Sequence, residues 1–218
     1  MEWDHFRQHR AFLFHFTRTE NLPFLRAHRA MHSVAHLVGL ATEFENGQVE
    51  NPFEFLHQPR QFEMPLRLGP GDHNKVTVND QKPICDGQIG DRFEPGWNRS
   101  RYTALLNQYV FFYAGRDQVP GGRAAGSFVR KYHAFARLRI PVDSVEVANP
   151  AINWLLSRFN TGGGQARGKV LRGPSLFIPF AQFPDHVQQI AEVVFGESVA
   201  LPDDTEVRMP GAGNWEIL

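Results

Sequence analysis

Runs of apolar residues, broken by polar turns, predict short strands along this chain. Residues 11–16 (AFLFHF) form one apolar strand, which ends in His15-x-Thr17. Residues 109–113 (YVFFY) form a continuous aromatic and β-branched strand. Residues 75–79, 132–140, 175–180, 190–195 and 206–208 read as further strands. An amphipathic start covers 3–10, and helical patterns cover 20–29, continuing or restarting through 31–45, then 99–108 and 150–159. Residues 46–74, punctuated by Gly47, Pro52, Pro59, Pro65, Pro70 and Gly71, read as a long irregular segment. A turn is expected at 80–83, with loops at 115–126 and 160–168. Many short strands in mixed order with few long helices predict one α+β domain, without repeats or linkers.

Composition narrows the classes. The chain has 218 residues, 23 basic and 23 acidic, so as a whole it is no electrostatic nucleic-acid binder. Any such contact must come from a local patch. Basic residues gather at Arg99 and Arg101, Arg123, Arg130 and Lys131, and Arg158, Arg167, Lys169 and Arg172. The lone Cys85 excludes an intrachain disulfide and a cysteine zinc cluster, and fits a reducing, cytoplasmic setting. With no signal-like h-region and no apolar run of ~18 residues, neither export nor a membrane partner is expected. His28, His32 and His36 recur every four residues and would share one helix face. Without an H-E-x-x-H pattern they read as a polar face, and no metal is expected. Gly121-Gly122-Arg123 and 162–164 lack P-loop spacing, and Ser100, Ser127 and Ser175 lack a nucleophile elbow.

Two places carry candidate chemistry. The segment 11–25 places an imidazole (His15), a hydroxyl (Thr17) and a carboxamide (Asn21) where a strand gives way to a helix. Far downstream, Glu192 puts one carboxylate inside an apolar strand. Each also has a plain structural reading. His15 reads as a core histidine, Asn21 as a helix cap, and Glu192 as the outward residue of an edge strand. The rings of 109–113 read as core packing.

The order of these segments resembles a known family. His15-Phe16-Thr17 followed by Asn21-Leu22-Pro23, the aromatic strand 109–113, and Ala191-Glu192-Val193-Val194 followed by Val199 and Pro202 resemble the DarT-type ADP-ribosyltransferases. The Asp80-Gln81-Lys82-Pro83 turn, Leu106 to Phe112, Asn160-Thr161-Gly162 and Arg172-Gly173 to Phe177 resemble a DarT-related set of proteins. The resemblance implies an ADP-ribosyltransferase-like split mixed β-sheet core with flanking helices. It implies NAD as co-substrate, a nucleic-acid base in DNA or RNA as acceptor, a toxin or defence role, and an antitoxin as candidate partner.

Breaking the nicotinamide–ribose bond of NAD develops oxocarbenium character on the ribose, as in glycoside hydrolysis. A carboxylate bonded to the neighbouring hydroxyl stabilises that charge. By resemblance this is the role of Glu192. His15, Thr17 and Asn21 hold NAD, Tyr109 or Tyr113 stacks on nicotinamide, and Arg172 with Gly173 either reaches the pyrophosphate or simply turns the chain. By two-residue alternation Phe112 faces the other side of its strand. The family also uses an arginine between the first and the aromatic strand. Asn79 stands where it is expected just before the turn, and Arg67 lies nearby. That departure leaves open a non-catalytic NAD- or nucleotide-binding module, or a protein acceptor. Transfer of a 2′-phosphate from RNA to NAD would need a basic pocket for which no motif is evident.

Overall fold

Among the described residues, the apolar run after Ala11 becomes a central strand of a nine-stranded sheet. The computed structural model describes residues 1–44, 49–116, 119–120, 135–163, 170–184 and 186–218. The first elements are α1 (Trp3–His9), β1 (Phe12–Thr17), α2 (Leu22–His28), β2 (Ala30–His32) and α3 (Val34–Glu43). Then come α4 (Pro52–His57), β3 (Met64–Arg67), β4 (Lys75–Val78), α5 (Lys82–Cys85) and α6 (Arg99–Asn107). The sheet continues with β5 (Val110–Arg116), β6 (Val119–Pro120) and β7 (Ala136–Pro141), followed by α7 (Val142–Ala148). It closes with β8 (Leu155–Ser157), β9 (Ile178–Pro179), β10 (Glu192–Phe195), β11 (Ser198–Ala200), β12 (Glu206–Arg208) and β13 (Glu216–Ile217).

The large sheet runs β13-β12-β7-β1-β5-β10-β8-β9, with β6 paired to β5. Its described ladders are all antiparallel, so the fold is α+β but the expected mixed sheet is corrected. A lone parallel bridge joins Phe93 to Arg172. Among the described residues two small two-stranded antiparallel sheets, the β3-β4 pair and the long-range β2-β11 pair, stand beside it. The core gathers Phe6, Leu13, Val38, Phe112, Leu138 and Val193, all buried. A second cluster holds Ile84, Tyr102, Leu106 and Val194.

One irregularity of this sheet matters for function. β1 pairs with β5 only through Phe12–Phe14 against residues 113–115, while β10 pairs with the other end of β5, residues 110–112. Beyond Phe14 and Tyr113 the two strands part, and the ladder is open between the end of β1 and the start of β5. Backbone groups freed at such a gap need other partners.

Several expected elements differ. The helix expected through 31–45 breaks at Arg29, which adopts φ 47, and β2 is drawn into pairing with β11 before Ser33 caps α3. His28, His32 and His36 therefore do not share one helix. The segment 46–74 is partly ordered: Asn51 caps α4 with Pro52 in its first turn, and β3 pairs with β4. Residues 150–159 form a turn and β8 instead of a helix, because β8 is held between β9 and β10. The preceding α7 was not expected. The strand expected over 175–180 is mostly a 3-10 turn, with β9 its only paired part. The glycines at 121–122, Ser127, and the basic residues Arg123, Arg130, Lys131, Arg167 and Lys169 lie outside the described residues.

Candidate functional site

Register places the candidate residues on two faces. His15 and Thr17 lie opposite Leu138 and Ala136 on the inner face shared with Phe112, whereas Phe111 and Tyr113 point the other way. Val194 pairs with Phe111, so Glu192, two residues earlier, shares the Phe111 and Tyr113 face. The parting of β1 from β5 lets both sets meet. A cavity of about 480 Å³ occupies the gap and is lined by His15, Thr17, Asn21, Tyr109, Tyr113 and Glu192. That volume is in the range of small-molecule and cofactor sites. Phe112 faces away from Phe111 and Tyr113, as alternation predicts, and is not among the lining residues.

His15 answers for one group freed by the gap. Its Nδ1 lies 2.9 Å from the Phe111 carbonyl oxygen, and a carbonyl can only accept. Nδ1 therefore carries the proton and Nε2 is left as an acceptor. Burial lowers the imidazole pKa to about 4, so the ring is neutral at physiological pH.

Glu192 is 3% exposed, in a strand whose two faces are both covered. Burial raises its carboxyl to about 7, against two donors from Thr161 that favour the ionised form. The Thr161 backbone N–H and hydroxyl both donate to Oε2, at 3.0 and 2.8 Å. Among the described residues the other oxygen accepts no hydrogen bond.

Thr161 is fixed from behind. The Tyr102 hydroxyl donates to its carbonyl at 2.9 Å, as does Arg172, whose second terminal nitrogen donates to Gly163 at 3.0 Å. Arg172 is fully buried and is not part of the lining. The expected contact with a pyrophosphate is thus replaced by an internal one. A cation positions the loop that grips the carboxylate. Tyr113 belongs to the same rim, its hydroxyl accepting from Asn160 at 3.2 Å. Tyr109 packs on Phe177, ring centroids 4.9 Å apart.

Asn21 sits at the N-cap of α2, but its side chain makes no capping hydrogen bond. Its carboxamide mimics a strand partner, accepting from Thr77 N–H at 2.8 Å and donating to Thr77 C=O at 3.0 Å. It also donates to Thr17 at 3.3 Å. This clamp ties the end of β1 to β4 along one wall. Asn21→Ala is expected to lower stability by about 2 kcal/mol, the usual cost of orphaning buried backbone groups, measured by urea denaturation.

Sequence reasoning missed Arg60. It lines the cavity at 8% exposure, and burial lowers its pKa to about 10. Its Nε donates to the Asn79 carbonyl at 3.2 Å, and its terminal nitrogens approach Asn107 Oδ1 at 3.3 and 3.4 Å. It forms no ion pair among the described residues. Asn79, which stands where an arginine was expected, lines the cavity too and bridges Arg60 to Arg18. Arg67 lies outside the lining and stacks on Phe44. His32 joins the apolar end with Phe24, Met31 and Leu37. Among the described residues no group of three or more His, Cys, Asp or Glu is placed to hold a metal. None of the described helices is long and apolar enough to cross a membrane.

A family model described as a family of unknown function, DUF7002, matches residues 11–204. The chain belongs to DUF7002. The part matched begins just before β1 and ends beyond β11, so every lining residue of the cavity lies within the DUF7002 span. No curated protein and no solved structure matches the chain.

Proposed function

We propose that this DUF7002 member is an NAD-dependent mono-ADP-ribosyltransferase whose acceptor is a nucleic-acid base. The observation that supports it is the meeting of a neutral His15 and a buried Glu192 carboxyl around one cavity, from opposite faces of a parted sheet. The acceptor class rests on the resemblance to DarT-type enzymes.

The lining residues fit such a ligand. Bound NAD supplies a ribosyl centre that becomes electron-poor as nicotinamide leaves. His15 Nε2 accepts from a ribose hydroxyl. Glu192, held by Thr161, accepts from the hydroxyl beside the reacting carbon and stabilises positive charge there in a water-poor site. Tyr109 or Tyr113 covers the nicotinamide ring. Arg60, a buried cation without a carboxylate partner, meets the phosphates.

Labelled NAD incubated with separate DNA, RNA and protein pools tests the reading, together with nicotinamide release. Transfer to a nucleic-acid pool supports it, and label on protein alone would move the acceptor. Binding of NAD with no release would make the protein a binding module. Arg60→Met is expected to weaken NAD binding about 10- to 100-fold, the equivalent of one or two charged hydrogen bonds. Binding of nicotinamide riboside, which has no phosphate, should be unchanged; titration calorimetry measures both.

A further inference from the structure

The sheet face opposite His15 carries an arrangement that the cavity does not explain. Phe16 of β1, Arg137 of β7 and Arg208 of β12 lie directly opposite one another in consecutive ladders. The parallel row is Tyr113, Phe14, Arg139 and Glu206. Two arginines in direct cross-strand register repel and weaken a sheet. Arg139 is neutralised by Glu206 at 2.6 Å. Arg137 and Arg208 have no acid within ion-pair reach among the described residues. Burial and the charge of Arg208 both lower the Arg137 pKa.

Aromatic rings of this face lie under the guanidiniums. Arg137 lies over Phe16 at 5.7 Å, and Arg208 over Trp215 at 5.4 Å. Arg139 lies over the same indole at 4.6 Å. A guanidinium held over a ring keeps N–H donors for an oxyanion. Phe12, Phe135 and Trp215 on this face are each half-buried. Un-neutralised arginines interleaved with half-buried aromatic residues suit a flexible phosphodiester chain whose bases can stack. The face also reaches the cavity: Tyr113 belongs to both, and Arg18, stacked over Phe135 at 5.0 Å, donates to Asn79 in the lining.

We infer that Arg137 and Arg208, with Trp215, form a docking surface for single-stranded nucleic acid leading past Tyr113 to the cavity. The choice of ligand rests on the acceptor reading above.

The test is fluorescence anisotropy of a labelled oligodeoxythymidylate with the full chain at several salt concentrations. The double variant Arg137→Gln/Arg208→Gln should bind at least about tenfold more weakly, and its log K against log salt slope should fall by roughly 1.4, the loss of two phosphate contacts. The double lysine variant should keep most of the slope. Melting temperature should hold or rise, since like charges are relieved. Nicotinamide release without acceptor should be unchanged. Unaltered oligonucleotide binding in the glutamine variant overturns the surface. So does native protein that binds anionic vesicles but no oligonucleotide. The two readings fail separately: charge-dependent oligonucleotide binding without nicotinamide release removes the transferase and keeps the surface. Release with binding indifferent to both arginines does the reverse.

Discussion

Glu192→Gln is expected to lower nicotinamide release by about 10²–10³-fold, the usual cost of removing one preorganised electrostatic contact, while NAD still binds. Glutamine keeps the shape and can still accept from Thr161 through its amide oxygen. It cannot carry the negative charge that a developing ribosyl cation requires. The split between binding and turnover, read by calorimetry and a nicotinamide assay, is what a purely structural glutamate would not show. If the variant turns over at the native rate, Glu192 has no role in chemistry.

The same residue sets a pH dependence with opposite signs for activity and stability. Its carboxyl titrates at about 7 when folded, against an ordinary 4.5. Only the ionised form can stabilise positive charge, so activity should rise with pH through about 7. His15 is already neutral there, with its pKa near 4, so that limb belongs to the carboxyl. For stability, the folded state holds the extra proton between the two values. The contribution is full below about 4.5 and is lost as pH rises to about 7, in total on the order of 3 kcal/mol. Glu192→Gln should remove that slope from urea denaturation measured across the same range.

Part of this site is legible in the sequence and part is not. β1, β5 and β10 show because continuous apolar runs are what a strand covered on both sides needs. His15 and Glu192 stand out against those runs. Neither Arg60 nor Thr161 carries such a signal. Arg60 follows a proline in a segment without periodicity, and its burial depends on carbonyl and amide partners at Asn79 and Asn107. Thr161 reads as the middle of an Asn-x-Gly loop motif, with no sign of its grip on Glu192, because that contact spans 31 positions. Arg172 reads as a pyrophosphate contact or a chain turn, because a lone arginine beside glycine gives no hint that it faces inward. The helix expected over 31–45 restarts only at Val34 for a related reason: local pattern favours an earlier start, but pairing with β11 claims residues 30–32.

Arg172 then becomes the sharpest test of how the carboxylate is held. Its two terminal nitrogens satisfy the carbonyls of Thr161 and Gly163, and its charge stands one peptide away from Glu192. Arg172→Met removes both bonds and orphans at least the Gly163 carbonyl, since Tyr102 still serves Thr161. Each charged bond is worth about 1.5–3 kcal/mol, partly offset by no longer burying a cation, so a net loss of about 2–4 kcal/mol is expected. A structural defect alone would end there. Arg172 also lowers the Glu192 pKa through its field, so its removal should move the activity limb upward from about 7. Arg172→Lys keeps the charge but cannot span both carbonyls. It should lose stability and keep the limb near its native position, which separates the electrostatic role from the mechanical one. An unmoved limb in both variants would leave Arg172 as a support for the loop and assign control of the Glu192 proton to burial and Thr161 alone.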